Sequence, residues 1–283
     1  MLKRLLIAFL VSSILFWPAP ARAANNIVTI TVTGATQTVR SRIEEFNGIQ
    51  TGSDPLDVNV KNPTTSGSCV ATTSTPTTGT SAATSQNNEL VIGVLITGSA
   101  VTFGAGAGYT IDDTPTANRT SVEWKAVTST GAQTATWNNT GSSNYMALLA
   151  TFKATTSTPA FVQGTGHDSG SAVASDQLIF TNPVTAGDFI FVASRIGNNA
   201  STASVSDTEG NTYHLIPGLP FDCGSATDQM YVWYAYNVAG DGGGGGGGIG
   251  KGAWLWSHLL LDPRQKNEYL SFIFSKKGLE ELQ

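Results

Sequence analysis

The chain has 283 residues, with 20 Asp and Glu against 15 Lys and Arg, a formal net charge of −5. That balance argues against a nucleic-acid partner, whose phosphates call for basic patches. The length leaves room for one large or two modest domains. Two cysteines, with no CxxC and no clustered His, argue against a structural zinc site.

Residues 1–23 read as a leader. Lys3 and Arg4 precede an apolar run from Leu5 to Trp17, and Ala21-Arg22-Ala23 forms an A-x-A site. This is the pattern of a secretory signal peptide cleaved before Ala24. An uncleaved anchor is the rival reading, but the apolar run is short for a bilayer. No later segment is long enough to span, so no membrane span is expected after cleavage. The expected localisation is secreted: extracellular or cell-surface.

Residues 24–49 carry two strands, in "NIVTITVTGATQTVRSRIEEFNGI". Residues 50–154 follow with "NELVIGVLITGS", "TSVEWKAVTST", "QTATWNN" and "YMALLATFKA" as strands. Residues 155–241 add "GDFIFVASRIG", "STASVSD", "NTYHLI" and "MYVWYAYNVAG". Short β-branched and aromatic runs separated by Gly, Asn, Asp and Ser turns are the pattern of a sandwich or barrel. Residues 242–250 form a glycine-rich linker, and residues 251–283 a denser charged tail with a weakly helical remainder. The expected fold class is all-β: two antiparallel β-sandwich (jelly-roll or Ig-like) repeats and a short helical tail.

The strands fall into two series. "ELVIGVLI" at Glu89 corresponds to "DFIFVASRI" at Asp188, and "SVEWKAVTSTG" around Trp124 to "YVWYAYNVAGDG" around Trp233. The first series continues through "YMALLATFKA"; the second runs into glycines. A matching piece stands at the other end of the chain, where "RIEEFNGI" lines up with "LLATFKA". The N-terminal strands of residues 24–49 are therefore expected to complete the second sandwich. They can do so within one molecule, or by strand exchange between molecules that self-associate head to tail.

"DFIFVASRIGNNASTASVSDTEGNTYHLI", "MYVWYAYNVAGDG", "IVTITVTG" and "RIEEFNGIQTGSDPLDV" resemble secreted bacterial tandem β-sandwich repeat domains of large surface, adhesin-like proteins. The resemblance covers residues 25–240. It implies a sandwich fold and a surface setting, and carries over no catalytic residue.

Individual motifs give candidate sites. Asp207, Glu209 and Asn211 alternate like the start of a calcium loop, which makes Ca2+ the one cofactor to weigh. Thr212 stands where such a loop needs glycine, so a hairpin turn with Gly210 at positive φ is the competing reading. His167-Asp168-Ser169 contains triad residue types, but neighbours in sequence point apart. Alternation sends Glu44 and Glu45 to opposite faces of their strand, which excludes them as a glycosidase pair. Cys69 and Cys223 can form one disulfide or stay as two thiols.

Tyr234 and Tyr236 share a strand face. If exposed, they would stack on sugar rings and bind an extracellular glycan or surface polymer. The Thr/Ser-rich stretch at residues 71–88 reads as a β-edge and exposed loop, or as a glycosylated stalk. The leading functional expectation is a structural or adhesive protein without catalysis. A carbohydrate-binding module is the alternative, and a secreted hydrolase ranks third.

Overall fold

Three antiparallel sheets carry the chain, and no helix occurs among the described residues. The computed structural model describes residues 25–111, 118–197, 201–222 and 228–241. Residues 1–24, where a leader is expected, Cys223, most of the glycine run and the C-terminal segment lie outside them.

Sheet 1 places β1 (Ile27–Thr33) between β10 (Ser175–Ile179) and β12 (Thr202–Asp207). Sheet 2 runs β13 (His214–Leu215), β15 (Gln229–Tyr236), β11 (Phe189–Ile196), β2 (Val39–Asn47), β9 (Ala160–Asp168), with β14 (Phe221–Asp222) also on β15. Sheet 3 runs β3 (Leu56–Asn62), β8 (Ser143–Lys153), β5 (Glu89–Val101), β7 (Asn118–Val127), β6 (Thr110–Ile111), with β4 (Val70–Thr73) also on β8.

The N-terminal strands enter both neighbouring sheets. In β1, Val28, Ile30 and Val32 alternate inward while Thr31 and Thr33 face out, the period-2 pattern of a half-buried strand. β2 pairs with β11 from Val39↔Ile196 to Phe46↔Phe189 without a break. The same chain thus supplies the neighbours that β10, β12, β11 and β9 would otherwise lack.

Sheet 2 is covered on both faces. Val39 and Ile43 of β2, Ile190 and Val192 of β11, and Trp233 of β15 pack with Val28, Ile30 and Leu178 of sheet 1. The alternate residues Phe46, Phe189, Phe191 and Val232 pack with Leu90, Ile92, Leu148 and Phe152 of sheet 3. Every residue of β11 is accordingly buried. Continuous apolar runs such as "FIFVASRI" and "LVIGVLI" are what a strand with two buried faces requires.

The far face of sheet 3 has its own core. Val91, Leu95, Tyr145 and Leu149 meet Ala135 and Trp137, with Phe103 and Tyr109 packed against them. The apolar side chains around sheet 3 therefore divide: Leu90, Ile92, Val94, Trp124 and Phe152 face sheet 2, whereas Phe103, Trp137 and Leu149 face outward to this cover.

The cover is not regular sheet. Residues 131–137 join residues 77–84 through isolated bridges such as Thr77↔Thr136 and Ala83↔Ala132, with single backbone bonds such as Thr78 N–H to the Ala135 carbonyl at 3.0 Å. Hydroxyls substitute for missing ladder bonds. Ala135 N–H donates to Thr78 Oγ1 at 3.1 Å, Gln133 N–H to Ser81 Oγ at 3.0 Å, and Gly131 N–H to Thr84 Oγ1 at 3.2 Å. Thr78, Ser81 and Thr84 are buried, so the Thr/Ser-rich stretch, which begins as the edge strand β4 and stays exposed at Thr72, Thr75, Thr80 and Ser85, turns three hydroxyls into this cover. Gly106 is required beside it, because a Cβ there would lie 2.0 Å from the Thr136 carbonyl oxygen.

Candidate functional site

The aromatic pair does not form a surface platform. Tyr234 is 2% exposed, on the face of sheet 2 that packs on sheet 3. Its ring lies 5.2 Å from Phe152 and 6.1 Å from Phe189. Burial, then the neighbouring Asp54 carboxylate, raises its phenol pKa. Tyr236 is half-buried, and His214 stacks on it at 5.3 Å. Sequence alternation placed both tyrosines on one face correctly, but that face is covered by a second sheet.

Asp207 is the hub of a turn. Its Oδ1 accepts Asn211 N–H at 2.9 Å, and its Oδ2 accepts Asn211 Nδ2 at 2.7 Å, Tyr213 Oη at 2.9 Å and Asn26 Nδ2 at 3.1 Å. Gly210 has φ of 72°, Glu209 is exposed, and Asn211 Oδ1 accepts Ala239 N–H at 2.7 Å. The oxygens that would bind a cation hold loops instead. Among the described residues, no group of three or more His, Cys, Asp and Glu is placed to hold a metal ion.

His167, Asp168 and Ser169 diverge to separate partners. His167 Nδ1 lies 2.6 Å from Asp176 Oδ1, and Asp168 pairs with Arg40 Nε at 2.7 Å. Ser169 Oγ donates to the Ser171 carbonyl at 2.7 Å. Nothing aligns the three for acyl transfer.

Two carboxyl pairs were not legible in the sequence. At the end of sheet 2, Glu45 is fully buried, beside a bulge in the β2–β9 pairing. Its oxygens accept Thr185 N–H at 2.8 Å and Gln163 Nε2 at 2.6 Å. The adjoining Asp188 is pushed up to about 7, by burial first and then by the hydrogen bond and charge of Glu45.

At the corresponding end of sheet 3, Glu89 is fully buried and faces Asp57. Burial first, and the Asp57 carboxylate after it, push Glu89 up to about 7. Burial also acts upward on Asp57, but hydrogen bonds from Ser85, with Glu89 and Lys153 beside it, outweigh that and lower its pKa. Ser85 N–H donates to Asp57 Oδ2 and Ser85 Oγ to Oδ1, both at 2.6 Å. Lys153 Nζ lies 3.2 Å from Oδ1. The partner carboxylates come from distant sequence, which is why spacing gave no sign of them.

Two further features fasten the frame. Arg195 of β11 is buried and pairs with Asp228, while its Nε and Nη1 have no hydrogen-bond partner. Cys69 is disulfide-bonded, and the chain's other cysteine, Cys223, lies outside the described residues. Gly67 N–H donates to the Asp222 carbonyl at 3.1 Å, so the segment before β4 lies against β14.

No protein-family model matches the chain, and no curated protein matches it.

Proposed function

We propose that this is a secreted structural or adhesive β-sandwich protein of the cell surface or extracellular matrix, acting without catalytic turnover. The observation that carries the reading is how the chain spends its polar groups. Asp207, Glu45 and Asp57, the carboxylates best placed for chemistry, hold turns and neighbouring strands. They serve a frame of three sheets in which two are buried on both faces. The disulfide at Cys69 supports an oxidising compartment, as the leader at residues 1–23 does.

In this reading sheets 2 and 3 are two copies of one unit, as in the surface-protein domains the sequence resembles. The equal strand order supports it: β9-β2-β11-β15-β13 beside β3-β8-β5-β7-β6. β1 and β2 then supply to the second copy what the glycine run replaces at its natural place. The test is fractionation of the producing cell, followed by attachment assays with purified protein on surface polymers and matrix. Retention inside the cell, or no attachment to any surface, would remove the proposal.

One observation favours carbohydrate binding as a second reading. The half-buried Tyr236 with His214 stacked at 5.3 Å leaves a small aromatic edge on sheet 2. A glycan array with wild type and Tyr236→Ala separates the two readings, because only the second predicts binding that the substitution abolishes.

A further inference from the structure

We infer that the arginine row at one end of the core between sheets 2 and 3 binds a single small oxyanion, held by the Arg195 guanidinium in the field of Arg40 and Arg119. The row is set by register. Arg195 of β11 stands directly opposite Arg40 of β2, and Arg40 directly opposite Asp168 of β9. On its other side Arg195 meets Met230 of β15, which belongs to the core between the two sheets. Residues directly opposite in an antiparallel pair share a face, so this row lies on the face turned to sheet 3. Sheet 3 comes over it at β7, where Thr120, next to Arg119, donates Oγ1 to the Arg40 carbonyl at 3.5 Å.

Like charges directly opposite on paired strands repel, and the carboxylates present do not use up the donors. Asp168 takes Arg40 Nε at 2.7 Å, and Asp228 takes Arg195 Nη2. The Arg195 side chain is 5% exposed, yet its Nε and Nη1 meet no acceptor. A buried charged donor left unmet is costly, and a guanidinium does not shed its proton to escape that cost. Burial lowers the Arg195 pKa first; Asp228 acts against this, and the charges of Arg40 and Arg119 act with it. Three arginines thus outnumber Asp168 and Asp228 among the charges that act on Arg195. Arg42 and Glu44, farther along the same face of β2, are opposite in sign and leave that excess unchanged.

A small oxyanion meets both needs, because it accepts from Nε and Nη1 and brings negative charge to the row. Guanidinium N–H groups are directional and match the oxygens of carboxylate, phosphate or sulfate; a halide offers no such set of acceptors. Burial of Arg195 limits the ligand to one small group. The row opens to solvent at Arg40 and Asp168, whose side chains are 18% and 40% exposed. A polyanion is disfavoured by the chain's net charge of −5, which leaves a free oxyanion as the ligand class. Bound there, it would tie β11 and β2 of sheet 2 to β7 of sheet 3.

The inference is independent of the adhesive reading, since binding by the purified protein decides it. Calorimetric titrations with sulfate, phosphate and acetate are run at constant ionic strength set with sodium chloride, and the melting temperature is followed alongside. The expected result is saturable one-to-one binding of at least one oxyanion, with a melting temperature that rises as mass action requires. The order of the three anions then distinguishes a tetrahedral ligand from a carboxylate. Arg195→Lys keeps the charge beside Asp228 but loses the planar donors, and should bind roughly tenfold more weakly. Arg119→Gln removes a charge from the opposing sheet without touching the Arg195–Asp228 pair, and should also weaken binding; it serves where Arg195→Lys does not fold. No saturable binding of any of the three anions overturns the site. So does a melting temperature that climbs linearly with salt and equally in the variants, which is the general effect of excluded salts. Unchanged affinity in both variants places the anion elsewhere and overturns it too.

Discussion

Tyr234 of β15 donates its hydroxyl to Asp54 Oδ1 at 2.8 Å, linking sheet 2 to the segment that leads into β3. The ring is core and the hydroxyl is a tie, so this residue should behave as a stability residue. Tyr234→Phe is predicted to cost about 1 kcal/mol, a single hydrogen bond. Tyr234→Ala is predicted to cost about 3–5 kcal/mol through the cavity. Urea denaturation of both variants checks the ratio; equal costs would mean the ring contributes nothing.

Gly93 leaves the space that Trp137 fills. A Cβ at 93 would lie 2.7 Å from Ala135 Cβ and 3.1 Å from the Trp137 ring. Gly93→Ala is therefore predicted to destabilise by about 1–3 kcal/mol, as overpacking does. Trp137→Ala should cost about 3–5 kcal/mol. The double variant should cost less than the two together, because the truncated ring frees room for the methyl. A double-mutant cycle in denaturant reads this, and strict additivity would contradict the contact.

Asp188 and Glu45 predict a direction for stability against pH. Asp188 titrates at about 7 in the folded chain, against about 4 for an unfolded Asp. The folded state thus binds more protons between those values. Its contribution is complete below about pH 4 and is lost as pH rises through 7. Asp188→Asn, which keeps a hydrogen-bond donor to Glu45, should flatten the fall in melting temperature between pH 5 and pH 8. A wild-type profile that rises across that window would contradict the raised pKa.

Asp207 accepts four hydrogen bonds from three residues. Asp207→Ala is predicted to lower stability by about 2–3 kcal/mol, since several donors lose their acceptor at once. The loss should be the same in calcium and in chelator. A wild-type melting temperature that rises with calcium would show that the turn holds a cation after all.

The all-β class was legible because turn residues punctuate β-branched runs. The pattern also placed Tyr234 and Tyr236 on one strand face. It did not say that a second sheet covers that face. A continuous apolar run such as "FIFVASRI" fits either a strand in one sandwich or a strand buried on both sides, and periodicity does not separate them. The cover at residues 77–84 was opaque for another reason: threonine and serine hydroxyls stand in for ladder bonds, so a buried layer has the composition of a loop. The carboxyl pairs Glu45–Asp188 and Asp57–Glu89 arise from pairings across long sequence separations, which no local motif records.

The central claim is that this chain's own N-terminal strands complete sheets 1 and 2. Hydrogen exchange of Phe189–Ile196 tests it most directly, comparing the mature chain with one lacking residues 24–49. β11 has β15 on one side and β2 on the other, so the deletion should expose the amides directed at β2 and leave those directed at β15 partly protected. The account predicts that β2-facing amides exchange at least a hundredfold faster in the deletion variant, while in the intact chain they stay protected at every dilution. Equal protection with and without residues 24–49 would contradict the pairing.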